Sequence, residues 1–274
     1  MPLLADARVF ARDANRARAI LGEKTDVALG DMTDAASLST ALLGCAAVVH
    51  LAARKSDEAD IRDVNVEGAR RLVAACKKAG IRRVVNIGSQ AARMERRGEY
   101  GETKRLSDEI IMSAGLDATT ILPSVVYGPK DPGVFGKLAR VASTSPVVPV
   151  IGDGTARYRP VHVDDLCRGI AGALASNATI GKTYSVGGPE TITLEGLIDL
   201  TAARAGKSPL KIHLPGPIAM LIANAGSALF ASPPLSRSNV LGAIQSVPEA
   251  DWNALFAELS ITPRDIKTGL EGGL

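Results

Sequence analysis

Short apolar runs typical of β-strands alternate with helical stretches along most of this chain. The runs expected to form strands are residues 7–11, 26–29, 46–51, 83–87, 118–122 and 183–186. Helices are expected at residues 15–21, 35–43, 61–79, 101–113, 164–175 and 194–205. Since a helix between two strands carries the chain back over a sheet, the alternation predicts parallel strands joined by right-handed crossovers. We therefore expect an α/β, doubly wound parallel sheet.

Composition excludes several classes of partner. The chain has 274 residues, enough for one such sheet and a smaller C-terminal lobe, and its net charge of +3 gives no attraction to nucleic acid. Cys45, Cys76 and Cys167 are too widely spaced to indicate a disulfide framework or a zinc site, so a reduced cytoplasmic setting is expected. The uncharged run at 214–234 is interrupted by prolines, so we expect no membrane association.

A Tyr-x-x-x-Lys motif, Tyr100 to Lys104, follows Ser89 by a short interval. On a helix, residues four apart share a face, so Lys104 is expected beneath the phenol of Tyr100, where its charge would lower the pKa of that phenol. Ser89 follows the strand at 83–87 and is expected at the carboxyl edge of the sheet, where open α/β folds bind ligands. Taken alone, such a pair is more often a solvated pair on a helix surface. The surrounding segments decide between these interpretations.

Five segments accompany the motif in a characteristic order. They read Gly30-Asp31-Met32-Thr33-Asp34, Val48-Val49-His50-Leu51-Ala52-Ala53, Val64-Asn65-Val66-Glu67-Gly68, Leu122-Pro123-Ser124-Val125-Val126-Tyr127-Gly128-Pro129 and Pro160-Val161-His162-Val163-Asp164-Asp165. In this order and spacing the chain, from about Leu3 to Leu270, resembles the extended and atypical short-chain dehydrogenases/reductases. The resemblance is to the NAD-dependent epimerase/dehydratase group, which includes proteins similar to the nucleotide-binding accessory subunit of respiratory complex I.

The resemblance implies a role for each matching position. Ser89, Tyr100 and Lys104 would be the catalytic triad, with Tyr100 as acid and base, Ser89 polarising the substrate oxygen and Lys104 also holding the nicotinamide ribose. The other implied cofactor contacts are Asp31 and Met32 at the adenine, Leu51, Ala52 and Ala53 along the cofactor, Asn65 as the structural and relay asparagine, and Pro123 to Val125 at the nicotinamide. A Rossmann-like NAD(P)-binding domain is expected at 1–128 and mainly a substrate lobe at 129–274, with 160–190 returning to the sheet.

The chain departs from the family pattern in two ways. Leu122 stands where the family has arginine, and the glycine-rich loop of the first strand-helix unit is missing, because residues 1–6 already read as the end of its helix. We interpret the nearest glycine-rich match, at 133–139, as helix packing. Without the first strand, the second and fourth strands would re-pair, or another chain would fill the gap, or the natural protein starts upstream of Met1. We favour the last alternative and expect the chain as given to bind NAD(P)(H) weakly.

The cofactor and the function remain open between alternatives. Arg12 precedes Asp13 at the end of the second strand, so we expect a preference for NADP over NAD, with Asp13 capping the next helix. Arg93, Arg96 and Arg97 form either a solvated loop or a contact for an acidic substrate. We expect an NAD(P)-dependent oxidoreductase or epimerase/dehydratase acting on a small alcohol, carbonyl or sugar derivative. The alternative is a non-catalytic NAD(P)-binding regulatory or assembly protein. A homodimer is possible on this basis, and no metal site is expected.

Overall fold

The structure is a computed structural model that describes residues 6–55, 60–129, 131, 133–229 and 235–271. The helix end expected at residues 1–5 lies outside these ranges. Six strands carry the α/β pattern, and all six were expected from the sequence: β1 (Arg8–Ala11), β2 (Asp26–Leu29), β3 (Ala47–His50), β4 (Arg83–Ile87), β5 (Asp117–Pro123) and, later in the chain, β10 (Thr183–Val186). Strands β3, β4, β5 and β10 form a parallel sheet in the order β10-β5-β4-β3, and β1 and β2 form a separate parallel pair.

Helices cover both faces of the four-stranded sheet. Those of the first half are α1 (Ala14–Leu21), α2 (Ala35–Ala41), α3 (Gly68–Ala79, preceded by a π-helical turn at Asp63–Glu67) and α4 (Gly98–Met112). Leu72 of α3 and Ile111 of α4 pack with Val84 of β4 on one face. Val85, which points to the opposite face, packs with residues of two later helices, α6 (Val163–Ala175) and α10 (Ala254–Glu258). The predicted doubly wound α/β fold is confirmed.

Aspartate caps and a glycine define where the first helices begin and end. The carboxylate of Asp13 accepts a hydrogen bond from the Arg16 backbone N–H at 2.9 Å, as expected from the sequence, and Asp34 accepts one from the Ala36 N–H at 2.9 Å. Helix α3 ends at Gly80, whose φ of 72° is left-handed. These ends direct the chain back into the next strand.

The C-terminal half forms a smaller lobe beside the sheet. Its remaining elements are β6 (Val126–Tyr127), α5 (Val134–Thr144), β7 (Val147–Ile151), β8 (Arg157–Tyr158), β9 (Val161–His162), β11 (Ile192–Thr193), α7 (Leu194–Arg204), β12 (Leu210–Leu214), α8 (Gly216–Leu229), α9 (Arg237–Ile244) and α11 (Ile266–Leu270). Strand β7 pairs in parallel with β12, and β6 pairs with β9. None of the helices in the described ranges has the length and hydropathy of a membrane span.

A gap separates β1 from β3. Strand β1 pairs with β2 and β3 pairs with β4, and within the described residues no strand is bonded to the other edge of β1 or of β3. Phe10 of β1 and Val48 of β3 nevertheless pack against the same hydrophobic cluster. No residue of β1 or β2 is buried, unlike the interior of β4. The second and fourth strands of the expected order therefore do not re-pair.

Candidate active site

Helix α4 places Tyr100 and Lys104 beneath the carboxyl end of β4. The helix lies close to the segment that follows β4, because a Cβ atom on Gly101 would collide with the carbonyl oxygen of Ala91. Any larger residue at position 101 would move the helix away from that segment. The glycine therefore sets the distance between the Tyr-x-x-x-Lys motif and the strand that carries Ser89.

Ser89 and Tyr100 lie side by side in the lining of one cavity. The Ser89 Oγ accepts a hydrogen bond from the Ala91 N–H at 3.2 Å. Burial raises the pKa of the Tyr100 phenol, and the Ser89 hydroxyl opposes that rise. The net direction of the Tyr100 pKa is therefore upward, and the lowering influence expected from Lys104 stays a prediction. Tyr100 is therefore protonated at neutral pH and is set up to donate a proton.

Lys104 is a buried ammonium group with a specific partner. Only 2% of the residue is exposed, and its Nζ donates a hydrogen bond to the carbonyl oxygen of Ile87 at 2.8 Å. Burial lowers the pKa of Lys104, while the charge of Asp108 raises it. The alternative of a solvated Tyr–Lys pair on a helix surface therefore does not apply.

Asn65 lies in the π-helical turn before α3 and joins the site to its neighbours. Its Nδ2 donates to the Thr103 Oγ at 3.0 Å and to the Arg54 carbonyl oxygen at 3.1 Å, and its Oδ1 accepts from the Arg54 N–H at 2.7 Å. Thr103 in turn donates to the carbonyl oxygen of Tyr100 at 3.0 Å. The amide of Asn65 thus fixes the loop after β3 to α4, which agrees with the structural part of its expected role.

A cavity of about 650 Å³ lies at the carboxyl ends of β3, β4 and β5. Its lining includes seven of the residues singled out in the sequence: Leu51, Ala53, Ser89, Tyr100, Lys104, Pro123 and Val125. Ala52 instead packs against the hydrophobic cluster of α2 and α3, and Asn65 lies behind the cavity wall. Apolar walls beside a buried lysine and a phenol suit a nicotinamide ribose and a small substrate.

The two residues expected at the adenine, Asp31 and Met32, differ in where their side chains lie. Asp31 accepts hydrogen bonds from the N–H and Oγ of Thr33 at 2.9 and 3.0 Å, and its Oδ2 lies 3.9 Å from the Nε of Arg12. The position expected for Met32, flanking the adenine, stays a prediction for its backbone. Its side chain is 6% exposed and packs in the core, where Gly68 of α3 leaves room for it.

No phosphate cradle is formed by the glycine-rich segment at 133–139. The backbone N–H groups of Gly133 and Gly136 donate to the carboxylate of Asp131, at 2.6 and 2.8 Å. An acidic side chain therefore already occupies the start of α5, where a phosphate group would otherwise bind. The described residues fit the nicotinamide half of a dinucleotide and offer no glycine-rich turn for its pyrophosphate.

Of the three clustered arginines, two reach the cavity. Arg96 and Arg97 line it, and Arg97 donates its Nε to the carbonyl oxygen of Ala92 at 3.0 Å. Arg93 is exposed and is not part of the lining. The acidic-substrate contact therefore stays a prediction for Arg96 and Arg97 alone.

Sequence reasoning missed several polar residues around the motif. Asn86, Gln90, Thr103 and Asp108 are the main ones, and Gln90 donates its Nε2 to the carbonyl oxygen of Leu122 at 2.8 Å. The only available signal was spacing, because Asp108 follows Lys104 by one more helical turn. Their roles depend on contacts between segments far apart in the chain.

Comparisons with known proteins agree with this geometry. A model described as the NAD dependent epimerase/dehydratase family matches residues 4–187. The chain is 25% identical over 249 residues to the mitochondrial NADH dehydrogenase (ubiquinone) 1 alpha subcomplex subunit 9 of Arabidopsis thaliana, covering 86% of this chain and 62% of that protein. It is also 25% identical over 216 residues to N-acetyl-alpha-D-glucosaminyl-diphospho-ditrans,octacis-undecaprenol 4-epimerase of Escherichia coli O157:H7, covering 70% and 65%. The chain thus spans less than two thirds of the length of either relative.

A solved structure shares the fold. The dTDP-glucose 4,6-dehydratase of Streptomyces venezuelae, determined with NAD and TYD bound, superposes with a TM-score of 0.75 at 23% sequence identity. The match covers 96% of this chain and 84% of that one. At this identity the likeness supports the Rossmann-like fold and leaves the chemistry to the residues of the site.

Proposed function

The chain belongs to the NAD dependent epimerase/dehydratase family, and we propose that it is an enzyme using NAD or NADP to oxidise, reduce, epimerise or dehydrate a small alcohol, carbonyl or sugar derivative. This membership confirms the resemblance inferred from the sequence. The observation that carries the proposal is that Ser89, Tyr100 and Lys104 line one cavity at the end of β4, with the buried Nζ of Lys104 bound to the carbonyl oxygen of Ile87.

The three side chains divide the work at a substrate oxygen. The phenol of Tyr100 gives its proton to a carbonyl oxygen during reduction and removes the hydroxyl proton during oxidation. Ser89 donates a hydrogen bond to the same oxygen and stabilises the charge that develops on it. Lys104 orients the ribose of the cofactor and keeps a positive charge near the phenol. A bound nicotinamide cofactor supplies the hydride donor or acceptor.

The pH dependence of the two reaction directions should differ. Burial raises the pKa of Tyr100, so the phenol is protonated at neutral pH and the base needed for oxidation forms only as pH rises. We expect the kcat/KM for alcohol oxidation to increase steadily from pH 7 to pH 10, and that for carbonyl reduction to be flat at neutral pH and to fall above it. Steady-state rates measured across this range in both directions check the expectation. Parallel profiles in the two directions would contradict it.

A non-catalytic NAD(P)-binding regulatory or assembly protein is the second candidate. It is supported by the similarity to a subunit of a respiratory NADH dehydrogenase. An assay of cofactor reduction with a panel of small alcohols and nucleotide sugars separates the two candidates. Turnover that is lost with Tyr100→Phe supports the enzyme, whereas cofactor binding without any turnover supports the second candidate.

For the cofactor, we propose a preference for NADP over NAD through Arg12. Its guanidinium is exposed and lies 3.9 Å from the carboxylate of Asp31, at the end of β1. Replacing Arg12 by alanine is expected to weaken NADPH binding about tenfold and NADH binding much less, because only NADPH carries the 2′-phosphate. Calorimetric titrations with both cofactors measure this. Arg16→Ala removes an exposed arginine from α1 and is the control, and equal losses for both cofactors in Arg12→Ala would make Arg12 an ordinary surface residue.

We further propose a cytoplasmic protein whose partner is its small-molecule substrate. The three cysteines are free, which suits a reducing compartment. Within the described ranges, no group of histidine, cysteine and acidic residues has the arrangement of a metal site.

A further inference from the structure

Asp108 continues the line of functional residues along α4. Tyr100, Lys104 and Asp108 follow one another at intervals of four residues, so they lie on one face of the helix. This face points to the carboxyl end of β4, because Lys104 donates there to the carbonyl oxygen of Ile87. The Asp108 carboxylate is bound to the same strand, since the Nδ2 of Asn86 donates to its Oδ1 at 2.7 Å.

The carboxylate is held against the backbone of β4 by a close approach. A Cβ atom on Gly88 would lie 2.7 Å from the Oδ2 of Asp108 and 3.0 Å from its Oδ1. The same Cβ would lie 2.3 Å from the Cδ2 of Leu122, so a side chain at position 88 would displace Leu122 and the carboxylate of Asp108. The arrangement places the Asp108 carboxylate beneath the end of β4. This strand end carries the Ile87 carbonyl group that binds Lys104, and Ser89 follows it after Gly88.

The buried ammonium of Lys104 has few other charges around it. Its direct partner is an uncharged carbonyl group, and no carboxylate of the described residues forms an ion pair with it. Burial and the charge of Lys104 lower the pKa of His50 on β3 to about 3, so that ring is neutral. Burial raises the pKa of Asp108, and the charge of Lys104 is the strongest influence that lowers it. Tyr100 is protonated at neutral pH. Asp108 is thus the acidic group that offsets the charge of Lys104.

We propose that Asp108 is a positioning residue of this site, whose carboxylate keeps Lys104 in its charged form and supports the end of β4 beneath Ser89. Its effect on catalysis acts through Lys104 and Tyr100, so the catalytic part of this proposal rests on the proposed function. The coupling between the two charges is a property of the folded chain and is measurable without any substrate.

The first test removes the negative charge and keeps the shape. In Asp108→Asn, the amide of Asn86 can reverse, because its Oδ1 has no hydrogen-bond partner among the described residues. We expect the NMR titration midpoint of the Lys104 side-chain nitrogen, assigned with Lys104→Met, to move about one pH unit lower. Glu109→Gln is the matched control, because it removes a charge from the same helix at an exposed residue bound to Arg105, and it should leave the midpoint in place. An unchanged Lys104 midpoint in Asp108→Asn overturns the proposal.

The second test needs no substitution of Asp108. Coupling between two charges is reciprocal, so Lys104→Met should raise the titration midpoint of the Asp108 carboxyl carbon by about the same amount. This result is obtainable even where Asp108→Asn does not fold. A carboxyl midpoint that stays the same in Lys104→Met also overturns the proposal.

The pH profile separates this proposal from the proposed function. The charge of Asp108 raises the pKa of Tyr100, so Asp108→Asn should move the rise in alcohol oxidation to lower pH. A protein that shows the coupled titrations and no turnover with any substrate keeps the role of Asp108 at Lys104 and refutes the enzyme. A protein that shows turnover, but whose Lys104 midpoint does not respond to Asp108→Asn, supports the enzyme and refutes the role of Asp108.

Discussion

Replacing Tyr100 by phenylalanine should reduce turnover a hundredfold or more, on the order expected for the loss of a general acid and base, and leave cofactor affinity nearly unchanged. The phenol is the group that exchanges a proton with the substrate, whereas the ring packs against the same neighbours with or without its hydroxyl. Rates with a responding substrate and a calorimetric cofactor titration measure the two effects separately. The loss should appear in kcat and kcat/KM alike, because the interaction belongs to the transition state.

Tyr184→Phe is the control for this substitution. Its hydroxyl donates a hydrogen bond to Glu258 at 2.5 Å on the far side of the sheet, so its removal should leave turnover near the wild-type rate. Lys104→Ala should differ from both, because it is expected to weaken cofactor binding as well. If Tyr100→Phe turns over at the wild-type rate, Tyr100 has no part in the chemistry and the enzyme proposal fails with it.

Replacing Arg83 by methionine should destabilise the fold by about 3 kcal/mol, because the change leaves several buried acceptors without a donor. Arg83 on β4 donates to the Asp117 carbonyl oxygen at 2.7 Å and to the hydroxyls of Thr119 and Thr179 at 3.0 and 2.9 Å. Its guanidinium also donates to the carbonyl oxygens of Ala173 and Leu174, at the end of α6. One side chain thus joins two strands of the sheet to the helix layer on its second face.

The neighbouring arginine provides the comparison for this prediction. Arg82 is largely exposed and pairs with Asp117 at the surface, so Arg82→Met should change stability little. Urea unfolding followed by circular dichroism gives the free energy of unfolding of both variants. Equal losses in the two variants would show that the buried contacts of Arg83 do not carry the stability assigned to them.

Much of the fold was predictable because it depends on local patterns. Strands β2, β4 and β10 have the bounds expected from their apolar runs, and the strand-helix alternation leaves few other topologies. Tyr100 and Lys104 were recognisable because a helix brings residues four apart together whatever else the chain does.

What could not be predicted depends on contacts across the chain. The lobe strands β7 and β12 pair Val147 with Leu210 across a long intervening segment, and neither strand has a strong pattern of its own. The orientation of Met32 depends on the space left by Gly68. The rise in the pKa of Tyr100 depends on burial, which the motif does not encode. The role of Asp108 needed Asn86 and Gly88, which come from another element.

The gap beside β1 has a consequence for how the molecule opens. Within the described residues, no strand pairing joins β1 and β2 to the four-stranded sheet. The shared hydrophobic cluster and a hydrogen bond from Arg71 to the carbonyl oxygen of Met32 connect them to it, so residues 6–45 are expected to behave as a separate cooperative unit with a low free energy of local unfolding. Its backbone amides should exchange with deuterium well before those of β4 and β5. Since Arg12 and Asp31 lie on this unit, a cofactor that binds them would stabilise it by mass action and slow that exchange selectively.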